Sequence, residues 1–148
     1  MNKDDVRMEN VKIYLSGGMS NLTLEEQLGW RNRVAGAIVY NRETTKHPIF
    51  FNPPNYYSTD TVSHKSEREA MEFDLYNLRN SNVVVVNFNV PQSIGTAMEL
   101  AIAKEYHIPI IGLNENNNEL HPWLTECCTR ICDTLVELVD HVTNFYLN

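Results

Sequence analysis

The chain has 148 residues, 43% hydrophobic and 21% charged, and its twelve Lys and Arg against nineteen Asp and Glu give a formal net charge of -7. That length holds one domain with a substantial core and is short for two, while the acidic balance disfavours a nucleic-acid polymer or an anionic membrane as partner. No run approaches the ~18 apolar residues of a membrane span, and the polar opening "MNKDDVRMEN" lacks the apolar centre of a secretory signal, so a cytoplasmic home is expected.

In chain order, a flexible lead-in over residues 1–10 precedes "VKIYL" (11–15), a β-rich apolar run that stops at Ser16-Gly17-Gly18 and reads as the first strand. Thr23 with Glu26 three residues on is a capping-box start for a helix to about Tyr40, with Leu24, Leu28, Ala35 and Ile38 on one face. "PIFFN" (48–52) is a second strand, stopped by Pro53-Pro54, and residues 55–63 read as a loop. Ser66 and Glu69 cap a helix to about Arg79 whose inner face draws on Ala70, Phe73, Tyr76 or Asn77, and Leu78. "VVVVNF" (83–88) is a continuous β-branched run, as expected of a strand covered on both faces.

A helix follows over 94–107, then a strand "IPIIGL" (108–113), a solvated loop "NENNNE" (114–119) and a short fifth-strand candidate "TRIC" (129–132). Thr134 with Glu137 caps a last helix carrying Leu135, Leu138, Val139, Val142, Phe145 and Tyr146. That is more apolar surface than one face of a small sheet needs, and it points to a homo-oligomer, a dimer or higher. Alternating strands and helices predict a single α/β domain over 1–148, a flavodoxin- or Rossmann-like parallel sheet of four or five strands with helices on both faces. Ligands of such sheets bind beyond the carboxyl ends of the strands. That rule selects Ser16–Ser20, Asn52–Tyr57 and Asn87–Thr96.

Two carboxylates stand out near those positions. Glu99 lies one turn into the helix that follows the valine strand, close to the free N–H groups around Gly95 and Thr96, whose dipole is expected to lower its pKa and keep it ionised. An ionised carboxylate at a sugar-sized cleft suits nucleophilic attack on an anomeric carbon; spacing alone fits equally a Glu at the solvent edge of the helix. Asp74 shares a helix side with Ala70 and Leu78, where it either reaches a ligand or sits exposed. Tyr14 is a core phenol or a hydrogen-bond donor to a carboxylate. Gly17-Gly18 makes a turn or a close backbone approach, and matches neither a P-loop nor a dinucleotide fingerprint. The bunched Cys127, Cys128 and Cys132 read as ordinary buried thiols rather than, with His121, a zinc site, and the five histidines have no metal-like spacing.

Together "KIYLSGGMS", "EFDLYNLRNSNVVVV" and "SIGTAMELAIAKEYHIPII" resemble the nucleoside 2-deoxyribosyltransferase family, which includes deoxynucleoside 5′-monophosphate N-hydrolases, over about residues 11–140. The resemblance implies a catalytic set of Glu99 as the nucleophile at C1′, Asp74 near the departing base, and Tyr14 holding the nucleophile, with no metal or organic cofactor. It implies a nucleoside or nucleotide ligand held by Ser16, Gly17, Gly18, Asn52, Ser93, Gly95 and Thr96, in an oligomer that often completes the site. Many of the family's transferases carry an aspartate at Ser93, whereas its monophosphate hydrolases carry a phosphate-contacting serine there. Against that stands Gly18, where a phosphate-binding serine would sit. A non-catalytic nucleotide-binding or sensing module built on the same pocket is the alternative.

Overall fold

In the computed structural model residues 8–19, 22–41, 44–56, 65–90 and 93–148 are described. Strands β1 (Asn10–Ser16), β2 (His47–Phe51), β3 (Val83–Asn87), β4 (Ile110–Leu113) and β5 (Arg130–Cys132) form one parallel sheet in the order β2-β1-β3-β4-β5. The connecting helices are α1 (Leu24–Tyr40), α2 (Glu67–Arg79), α3 (Ile94–Glu105), the short α4 (Pro122–Cys127) and α5 (Leu135–Tyr146). The five-stranded form of the expected architecture is therefore the one adopted, and β3 is its central strand.

The pleat explains why the valine run is apolar throughout. Val83 and Val85 face a core closed by Val34 and Ile38 of α1 and Leu138 and Val142 of α5. Val84 and Val86 face the opposite core, with Leu75 and Leu78 of α2, Leu100 and Ala103 of α3 and Leu124 of α4. All four valines are fully buried, each stabilising the fold by roughly 1.5–3 kcal/mol relative to an exposed side chain.

Both expected capping boxes form. Thr23 accepts from the Glu26 N–H and Ser66 from the Glu69 N–H, with each glutamate reaching back to its cap. Thr134 likewise accepts from the Glu137 N–H. The helix faces need correction. On α1 the buried residues are Arg31, Val34 and Ile38, while Leu24 is exposed. On α2 they are Leu75 and Leu78. Phe73 and Tyr76 are exposed, and Phe73 sits edge-on to Phe51 and Tyr56, which stack on each other. Helix α4 and a 3-10 turn over Pro53–Tyr56 have no counterpart in the sequence reading. Residues 57–63 of the expected loop, Ser20 and residues 1–7 of the lead-in lie outside the described residues.

The cysteines behave as thiols of the core: Cys132 is buried and Cys128 Sγ donates to the Leu124 carbonyl at 3.3 Å. Most apolar residues of α5 pack on the sheet, leaving Phe145 and Val136 as its large exposed hydrophobics. No helix among the described residues is long and apolar enough to cross a membrane.

Candidate active site

The chain runs from β1 outward to β2, then returns across β1 to place β3 on its other side. Strand order reverses between β1 and β3, so a crevice opens beyond their carboxyl ends. A cleft of about 700 Å³ lies there, bordered by Gly17 and Gly18 after β1, Arg31 of α1, Pro53 after β2, Asp74 of α2, and Ser93, Gly95, Thr96 and Glu99 at the start of α3. A smaller hollow of about 340 Å³ shares Asp74, Gly95 and Glu99 with it and is otherwise rich in Met71, Leu75 and Met98. Asp74 and Glu99, 25 positions apart in sequence, thus border both spaces.

Each side chain arrives by simple local rules. Tyr14 and Ser16 are two apart on β1, so they project to the same sheet face, the one covered by α2 and α3. Both are fully buried, and Tyr14 stacks on Phe51 with ring centroids 5.2 Å apart. Ser93 is the N-cap of α3: its Oγ accepts from the Thr96 N–H at 3.1 Å and shares a proton with Thr96 Oγ1 at 3.0 Å. Part of its hydrogen-bonding capacity therefore serves the helix. Gly17 has no room for a side chain, since a Cβ would lie 2.7 Å from Cζ2 of Trp30. Asn52 is buried at the end of β2, and Pro53, not Asn52, borders the cleft.

Glu99 keeps some exposure as a residue, but its Oε2 is sealed from solvent. Burial pushes its carboxyl up to about 7. The nearby Tyr14 phenol pulls the other way, the Asp74 charge pushes further up, and Arg31 and Ser16 pull down. Glu99 Oε2 and Ser16 Oγ make no aligned hydrogen bond, so Ser16 acts on the carboxylate chiefly as a nearby dipole. The lowering expected from the helix dipole does not prevail. Glu99 lies in the second turn of α3, where that field has fallen off, and loss of hydration outweighs it.

The structure thus brings Gly17, Gly18, Asp74, Ser93, Gly95, Thr96 and Glu99 to one cleft, with Tyr14 and Ser16 acting on Glu99 from β1, whereas Asn52 is buried and does not line the cleft. Sequence reading missed Arg31, a buried guanidinium in the same cleft. The signal was present: Arg31 continues the apolar stripe of Leu28, Ala35 and Ile38 at helical spacing, an improbable place for a solvated charge.

No protein-family model and no curated protein matches the sequence. Solved structures do match the fold. A 2-deoxyribosyltransferase from Bacillus psychrosaccharolyticus superposes with a TM-score of 0.69 at 13% identity, over 88% of this chain and 91% of that one. A conserved protein from Enterococcus faecalis V583 gives 0.70 at 15%, over 93% and 99%, and a CMP N-glycosidase from Clostridium botulinum 0.54 at 16%, over 90% and 99%. At these identities the likeness concerns architecture, and on that ground the chain has the fold of the 2-deoxyribosyltransferases.

Proposed function

We propose that the protein cleaves or transfers the N-glycosidic bond of a (deoxy)nucleoside or its 5′-monophosphate. The observation that carries the reading is the convergence of Asp74 and Glu99 on one cleft at the strand-order switch. The fold likeness to a 2-deoxyribosyltransferase and a CMP N-glycosidase supports it. In this reading the ionised Glu99 attacks C1′ as the bond to the base breaks, and the base leaves with the bonding electrons. Asp74, beside the departing base, carries a proton to or from it. The glycosyl ester on Glu99 is then opened by water, giving hydrolysis, or by a second base, giving transfer. Tyr14 and Ser16 orient the carboxylate from β1, and the N–H groups opening α3 suit the oxygens of a sugar or its phosphate.

The test is incubation with a panel of nucleosides and 5′-monophosphates, with and without an acceptor base, followed by release or exchange of base. Glu99→Gln should lower turnover by at least ~10³-fold while keeping ligand affinity, since an amide cannot form the ester. Turnover close to the parent would remove Glu99 from the reaction. Binding without turnover on the whole panel would favour a nucleotide-sensing module instead. We further propose a homo-oligomer that uses the exposed Phe145 and Val136 of α5; a monomer mass by light scattering at micromolar concentration contradicts it.

A further inference from the structure

Among the described residues Arg31 is the largest side chain buried in the fold, at 1% exposure. Its guanidinium lies over the Trp30 ring, 4.6 Å from the centroid. Nε donates to the Leu15 carbonyl at 3.3 Å, Nη2 to the Gly17 carbonyl at 3.2 Å and Nη1 to the Gln27 carbonyl at 2.6 Å. Two of these acceptors belong to the exit of β1 and one to α1, so the side chain staples the cleft's first loop to its helix. Among the described residues no carboxylate comes within ion-pair distance of it.

Those carbonyls satisfy hydrogen bonds but do not neutralise the charge. Burying a cation without an adjacent carboxylate is costly, and a neutral side chain could tie the same loop without that cost. Burial lowers the pKa of Arg31 only to about 10, so it stays charged at neutral pH. The carboxylates that act on it across the cleft are those of Glu99 and Asp74, with Glu99 the stronger.

We propose that Arg31 is a positioning residue: a fixed buried cation that pins the exit of β1 and favours the ionised form of Glu99 across the cleft. Its place in a reaction rests on the function proposed above. Around Glu99, Asp74 of α2 opposes ionisation, and Glu67 of α2 adds an acidic group at the edge of the smaller hollow. Tyr14 and Ser16 of β1 favour it as nearby hydroxyl dipoles. Arg31 is the one cation bordering either space among the described residues.

The experiment follows the ¹³C signal of the Glu99 carboxyl, assigned by its loss in Glu99→Gln, through a pH titration of the parent, Arg31→Gln, Arg31→Met and Arg31→Lys. With the charge removed, the midpoint should rise by about half a pH unit or more; with lysine it should stay within about 0.3 unit of the parent. The acid limb of kcat/KM should move in step, so that activity lost at neutral pH returns at higher pH. An unmoved midpoint in a folded neutral variant overturns the proposal, as does a lysine variant that shifts as far as the glutamine one. Should neither neutral variant fold, Arg31→Lys decides: it keeps the charge, so a rise of about half a unit or more refutes the electrostatic role. The titration needs no turnover. A protein inert on the substrate panel therefore refutes the proposed reaction without deciding the role of Arg31.

Discussion

Glu99 costs the fold stability at the pH where its charge is useful, and the cost can be measured. Its carboxyl moves from an ordinary 4.5 to about 7 on folding. Between those values the folded state holds a proton that the unfolded chain has released. Stability is therefore highest below the unfolded value and is lost as pH rises through the folded one. At about 1.4 kcal/mol per pH unit, the 2.5-unit difference between 7 and 4.5 amounts to about 3 kcal/mol at pH 8, shrinking to about 1 at pH 5 and vanishing below ~4. Glu99→Gln keeps the shape and removes the titration. It should raise the unfolding free energy by about 2–3 kcal/mol at pH 8, or ~5–10 °C in Tm for a domain of this size, and leave it nearly unchanged at pH 4. Urea unfolding of both proteins at pH 4, 5 and 8 is the assay. A variant equally stabilised at every pH would trace the gain to packing, and one less stable than the parent at pH 8 would refute the buried-charge reasoning outright.

The acid limb of kcat/KM should fall near pH 7, reporting ionisation of Glu99 in the free protein; a limb at 4–5 would mean that a solvated carboxylate does the work. Tyr14→Phe removes a hydroxyl dipole that favours the carboxylate, so the limb should move to higher pH with the fold retained. Asp74→Asn should lower kcat by roughly 10²-fold with a smaller change in KM, read by steady-state kinetics on whichever substrate the panel identifies. Gly17→Ala forces a methyl to 2.7 Å from Trp30 and should cost about 1–3 kcal/mol in chemical denaturation. Pairing it with Trp30→Phe should recover part of that loss, because the two sites share one contact.

Much of the fold is legible because the signals are local and repeated. Capping boxes mark where α1 and α2 begin, and four successive valines mark a strand with a core on each side. What escaped was set by tertiary context. Phe73 has helical spacing suited to the core, yet it rests beside Phe51 and Tyr56 at the sheet edge. Helix α4 is six residues long and enters on a proline, with His121 Nδ1 accepting from the Trp123 N–H as its cap. Its two turns are too short to show a period. For the site, residue type and position beyond strand ends pointed to Asp74 and Glu99, whereas the acidity of Glu99 depends on how much water the packed elements exclude. Arg31 was overlooked because an arginine on a helix ordinarily reads as solvated, and the carbonyls of Leu15, Gly17 and Gln27 that satisfy it when enclosed meet it only in the folded chain.

The pairing of β1 with β3 carries a mechanical consequence. Tyr14 stands opposite Val84, and Ser16 opposite Val86, in one hydrogen-bonded register. The two strand exits that flank the cleft therefore cannot slide past each other without breaking the ladder, and a one-residue slip would turn every side chain to the wrong face. The residues that touch Glu99 from β1 are as stiff as the sheet itself. Asp74 is different: it rides on α2, which meets α3 through side-chain packing and has no such ladder. Substitutions in the core shared by α2 and α3, such as at Leu75 or Leu100, can shift Asp74 while the strand-borne half of the site stays where the sheet holds it.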